Sequence, residues 1–71
     1  MKIELTYYDI TEKKYIFEEP ITSEGFQFIP NEGDTLLLNN WAYVISRKEF
    51  TYDYGTTKIT INCIRESKQR K

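Results

Sequence analysis

Apolar and polar residues alternate along much of this chain with the period of two that marks a half-buried strand. In residues 2–10, Ile3, Leu5 and Tyr7 alternate with Lys2, Glu4, Thr6 and Tyr8. Residues 9–13 read as a turn. Residues 14–19 read as the returning strand of a hairpin, stopped by Pro20. A connection follows over residues 20–25, punctuated by Ser23 and Gly25. Phe26, Phe28 and Ile29 then form a short extended segment expected to tuck its aromatics under the sheet. Pro30-Asn31-Glu32-Gly33-Asp34 is a turn, with Asn31 and Glu32 in type I positions and Gly33 in the left-handed position after them.

In the second half, residues 35–38 and 41–50 are strands joined by Asn39-Asn40. Both asparagines tolerate positive φ, which predicts a two-residue type I′ hairpin. Counting from that turn sets the register: Leu38 faces Trp41, Leu37 faces Ala42, Leu36 faces Tyr43 and Thr35 faces Val44. One face then carries Leu36, Leu38, Trp41, Tyr43 and Ile45, and the other carries Leu37, Ala42 and Val44. Residues 51–55 turn the chain. Residues 56–64 form the last strand, with Ile59, Ile61 and Cys63 on its inner face.

Five evenly spaced strands, no helical period and many turn signals predict an all-β fold. The expected form is a small five-stranded SH3-like barrel, with a small open β-sandwich or an OB-like barrel as alternatives. Residues 1–64 make the single domain, and residues 65–71 a basic polar tail expected to fray. Composition agrees: Ile, Val, Thr, Tyr, Phe and Trp supply 29 of the 71 residues, against a single alanine. A chain of this size buries only about 60% of its unfolded surface. Its one cysteine forms no internal disulfide, so eleven aromatic residues must supply the burial.

The stretch Phe28-Ile29-Pro30-x-x-Gly33-Asp34-x-Leu36-x-Leu38, followed by Tyr43-x-Ile45, resembles a pattern of short bacterial and phage SH3-like β-barrel proteins. The resemblance implies that fold and a phage or mobile-element setting. It implies no chemistry, because the matching residues shape a turn between strands.

Function classes narrow quickly. The chain has no histidine, so it lacks the commonest base near neutral pH and any Ser-His or Cys-His nucleophile. It is read as a non-enzyme with no cofactor and no metal. No apolar run approaches the ~20 residues that span a bilayer. A free cysteine without an apolar leader points to the cytoplasm. Cys63 itself, following Ile59 and Ile61, reads as a small buried hydrophobe.

Three surface features carry the functional readings. Arg47, Lys48, Tyr52, Tyr54 and Lys58, with Phe50 among them, interleave cations and aromatics on two neighbouring strands. This is the first candidate partner-binding surface, because tyrosine presents large area with few torsions to freeze. Leu37, Ala42 and Val44 form a second candidate, an apolar face that a single two-layer domain does not need to bury. The basic tail, net +3, is the third; it serves as a solubilising extension or contacts phosphates or an acidic protein surface. Charge is also segregated. The stretch from Tyr15 to Ser46 carries −5, while residues 47–71 carry +4. Strands that mix distant segments would interleave these charges into an ordinary solvated surface.

The expectation is therefore a protein–protein interaction module, in the resembled setting an accessory or inhibitor protein that covers a host surface. Single-stranded nucleic-acid binding through Arg47, Lys48, Lys58 and the tail is the first alternative. Against it, the sequence is acidic, with a pI near 5.4. A structural subunit of a homo-oligomer is the second.

Overall fold

The computed structural model describes residues 2–23 and 29–70. It is all-β. Among the described residues one open mixed sheet holds six strands: β1 (Lys2–Asp9), β2 (Lys14–Tyr15), β3 (Ile21–Ser23), β4 (Thr35–Leu38), β5 (Trp41–Asp53) and β6 (Thr56–Arg65). Their order is β2-β1-β6-β5-β4, with β3 also on β1. The five-strand count of the sequence reading is thus corrected to six. The expected hairpin between residues 2–10 and 14–19 is largely replaced by a split edge.

That split has a local cause. β1 pairs with β2 only at Tyr8↔Tyr15 and Asp9↔Lys14, and with β3 at Ile3↔Ser23, Glu4↔Thr22 and Leu5↔Ile21. Between the two short strands the chain leaves the ladder after Ile16 donates its N–H to the Tyr7 carbonyl. Phe17 then packs edge-on against the Tyr7 ring, 5.6 Å between centroids, and Pro20 has no N–H to give. The Ile29 side chain packs on the core, whereas Phe26 and Phe28 lie outside the described residues.

Two turns follow the sequence. Asn39 and Asn40 have φ of 52° and 67°, and β4 meets β5 in the register counted above, from Leu38↔Trp41 to Thr35↔Val44. Gly33 has φ of 90°, but it occupies the third position of the Asn31–Asp34 turn, not the position after it. Positive φ there is the type II signature, so the type I assignment is corrected. The Asp34 carboxylate accepts the Asn31 N–H at 2.7 Å and locks the turn. At the far end, β5 and β6 run closer to their turn than expected: Asp53 pairs with Thr56, and Gly55 takes φ of 75°.

The core lies on one face of β1, β6 and the first half of β5. Ile3, Leu5, Tyr7, Tyr43, Ile45, Ile59, Ile61 and Cys63 form it, flanked by Ile16, Phe17, Ile29, Leu36, Leu38 and Trp41. β1 and β6 run parallel through eight paired residues, Lys2↔Thr56 to Asp9↔Cys63. Asp9 continues the Ile3-Leu5-Tyr7 alternation and is fully buried. Its Oδ1 accepts the N–H groups of Thr11 and Glu12 at 2.9 and 3.2 Å, an Asx turn that fixes the β1–β2 connection.

The end of the chain is tied back. Arg65 stacks its guanidinium over Trp41 at 4.1 Å, pairs with Glu12 at 3.1 Å and donates its backbone N–H to the Thr11 hydroxyl. Glu66 and Arg70 donate backbone N–H groups to the carbonyls of Ala42 and Asn40. Within the tail expected to fray, Glu66, Gln69 and Arg70 are thus bonded to Ala42 and to the Asn39-Asn40 turn.

Two substitutions test this arrangement. Gly33→Ala meets no atom within 4 Å, so its cost is the backbone conformation alone, about 1 kcal/mol in a denaturant melt. Ile61→Ala, at a side chain with no exposed surface, is expected to cost roughly 2–5 kcal/mol. A loss below that range would place Ile61 outside the core.

Candidate interaction surface

The decisive local feature is a β-bulge. The β5–β6 register slips between Ile45↔Cys63 and Arg47↔Asn62, leaving Ser46 as the extra residue. A bulge of one residue reverses the inward and outward parity of the strand beyond it. Up to Ile45 the odd residues face the core. Past Ser46 the even ones do, because Lys48, Phe50 and Tyr52 lie opposite Ile61, Ile59 and Thr57.

The five candidate residues are therefore divided between two faces. Lys48 and Tyr52 lie on the core face, with Phe50 between them. Arg47 and Lys58 lie on the outer face, and Tyr54 is in the turn. On the core face Tyr52 is 77% exposed and Phe50 44%, and Tyr54 at the tip is fully open. The core-face row thus leaves the core and emerges as surface. Lys48 lies 5.9 Å over the Phe50 ring, and its ammonium donates to Asn31 Oδ1 at 3.0 Å. Arg47 pairs with Glu49 at 3.3 Å on the outer face. Tyr52, Asp53, Tyr54, Gly55, Thr56 and Thr57 line a shallow hollow of about 480 Å³ at the hairpin tip.

The second candidate, Leu37, Ala42 and Val44, changes in one member. Leu37 is 58% exposed and Val44 36%, while Ala42 has no exposed surface. Ile64, directly opposite Val44, is half-exposed and completes the outer apolar row instead. Ile64 is the member the sequence reading left out, although alternation after Lys58, Thr60 and Asn62 already puts it on the outer face. The bulge has a signal too: apolar residues at odd positions 43 and 45 give way to even positions 50 and 52.

Among the described residues, no group of three or more Cys, Asp or Glu side chains is placed to hold a metal. No helix there is long and apolar enough to cross a membrane. Cys63 is fully buried, as its position after Ile59 and Ile61 implied. Burial, and then the Asp9 carboxylate, push its thiol up to about 11. Burial raises Tyr7 and Tyr43 in the same direction. Tests against family models, curated proteins and solved structures found no match.

A raised folded-state pKa favours the neutral thiol. Its contribution to stability is complete below the ordinary value of 9.0 and is lost as pH climbs through about 11. Chemical denaturation midpoints are expected to fall across that window, and Cys63→Ala to flatten the fall. Native protein at pH 8 is expected to react with a disulfide thiol reagent only on the timescale of unfolding. Immediate full labelling would contradict the placement of Cys63.

Proposed function

We propose that this protein is a non-enzymatic protein-binding module whose contact surface is the core-face end of the β5–β6 hairpin: Phe50, Tyr52 and Tyr54, flanked by Lys48. One observation supports it above the others. Three aromatic side chains stand exposed together, Phe50 and Tyr52 on the core face of β5 and Tyr54 in the turn beyond it, where apolar area is normally buried. Aromatic anchors on a pre-ordered element bind with little entropy loss, and hot spots are enriched in tyrosine. Arg47 and Lys58 on the opposite face fit a charged rim better than a contact centre. The accessory or inhibitory role in a phage or mobile-element setting rests on the resemblance of the Phe28–Ile45 pattern. A cytoplasmic placement rests on the free thiol of Cys63. An SH3-like barrel is the finer form of the fold under this reading. The bulge-bent β5 supports it, and interstrand NOEs between β4 and β3 would establish closure.

Nucleic-acid binding has one favourable observation, Lys48 beside the Phe50 ring. Glu49 and Asp53 in the same strand oppose it.

The test is Tyr52→Ala with Tyr54→Ala, compared with wild type in capture of partners from host lysate. The expected result is an unchanged fold by circular dichroism and a loss of about 2 kcal/mol or more in binding. Unchanged capture would move the surface to Leu37, Val44 and Ile64. A salt-sensitive shift with oligonucleotide that the double variant abolishes would favour the nucleic-acid reading.

A further inference from the structure

β5 has two edges, and they are treated differently. β6 pairs with it along its length, with the one slip at Ser46. β4 covers only Trp41 to Val44, after which Gly33 and Asp34 bond to Ile45 and the Asn31 side chain accepts from the Lys48 ammonium. Beyond Ile45, β5 runs on to Asp53, and among the described residues no strand pairs with that stretch on the side away from β6.

Which backbone groups point to the open side follows from the ladder. The Cys63 carbonyl accepts from Ile10, so Cys63 and its alternates in β6 face β1. Asn62, Thr60, Lys58 and Thr56 therefore face β5 and bond to Arg47, Glu49, Thr51 and Asp53. Lys48, Phe50 and Tyr52 alternate with these. Their N–H and C=O groups point outward, a template for an added strand.

We infer that this edge pairs with the same edge of a second copy, antiparallel and two-fold symmetric about Phe50. The inference rests on the reading that this end of the hairpin is an interaction surface. It adds the occupant, and charge register identifies it. A two-fold pairing that joins outward-facing groups must be centred on one residue of this strand. Centring on Lys48 or on Glu49 sets two like charges face to face. Centring on Thr51 sets Glu49 against Asp53 twice. Centring on Tyr52 leaves Arg47 and Lys48 without partners across the join. Centring on Phe50 sets Arg47 opposite Asp53 of the second copy at both ends, Glu49 opposite Thr51, Lys48 opposite Tyr52, and the two Phe50 rings together. Opposite charges and cation–aromatic contacts across strands are favourable pairs.

The same register explains an otherwise awkward residue. An inward-facing lysine near an edge normally deters strand addition. Here Lys48 already lies against one aromatic ring, Phe50, and the two-fold pairing supplies another in Tyr52. Both ends of the edge are closed, by the Ser46 bulge with the Asn31–Asp34 turn and by the turn at Gly55. The pairing therefore stops at two copies, as an isologous contact does.

The experiment is sedimentation equilibrium of the full chain from micromolar to millimolar concentration. Wild type is expected to reach the mass of two chains. Arg47→Asp alone and Asp53→Arg alone place like charges opposite each other and are expected to return the mass to one chain. The combined variant is expected to restore two. Phe50→Pro removes an outward N–H while sparing the β6 ladder, and is expected to give a folded monomer. A wild type that stays monomeric at millimolar concentration, a dimer indifferent to Phe50→Pro, or a charge exchange that fails to rescue would each overturn the pairing. If the monomeric wild type still captures a protein partner through Tyr52 and Tyr54, the pairing falls and the binding-module reading stands. If a rescued dimer forms while that capture proves independent of both tyrosines, the pairing stands and the wider reading falls.

Discussion

Everything in this fold hangs on the parallel pairing of β1 with β6. The two strands come from opposite ends of the chain, yet they supply Ile3, Leu5, Tyr7, Ile59, Ile61 and Cys63, most of the core cluster. A parallel pair needs a crossover. Here the crossover is the whole chain between them, including the split edge and the β4–β5 hairpin. The loop-closure entropy of that joining is incurred before the core rewards it. The β4–β5–β6 meander can bring Tyr43 and Ile45 beside Ile61 and Cys63 by local pairing, but Ile3, Leu5 and Tyr7 join the core only when β1 docks on β6. The Arg65 stack on Trp41, anchored to Thr11 and Glu12, closes the same junction at its far end.

The bulge at Ser46 then decides what is core and what is surface. Before it, Tyr43 and Ile45 pack beneath the sheet. After it, the same face of the same strand presents Lys48, Phe50 and Tyr52, progressively more exposed toward the tip. Without the extra residue, Arg47, Glu49 and Thr51 would point inward against Ile59 and Ile61, and burying their charges unpaired would be costly. The bulge thus relieves a conflict written into the sequence. It does so by bringing aromatic residues to an open edge.

What could be read from the sequence alone was local. The Asn39-Asn40 turn contains its own geometry, so the register of β4 on β5 followed by counting. Gly33 and the β1 alternation were equally self-contained. Asp9 was visible as the next inward position after Tyr7, but a carboxylate there argued for a turn; both hold, because its Oδ1 caps the turn from inside the core. The parallel pairing left no local trace, and without it the anchored position of Arg65 was not accessible. The candidate surface was half legible: residue types at 47–58 marked the region, while the division between faces depended on the bulge.

The segregation of charge along the chain does not survive folding. Glu18 and Glu19 lie beside β2 and β3 at one side of the sheet, whereas Glu32 and Asp34 lie beside β4 at the other. The neutral strand β5 and the basic strand β6 sit between them. Arg65 pairs with Glu12 from the balanced first segment, and Arg47 and Arg70 pair within the basic half. Such exposed pairs add little stability. The open edge is itself neutral, with Arg47 and Lys48 balanced by Glu49 and Asp53. Under the proposed pairing, recognition at this edge depends on what short range provides: outward backbone groups, an aromatic row, and charges whose spacing along one strand fits the reverse of the same strand.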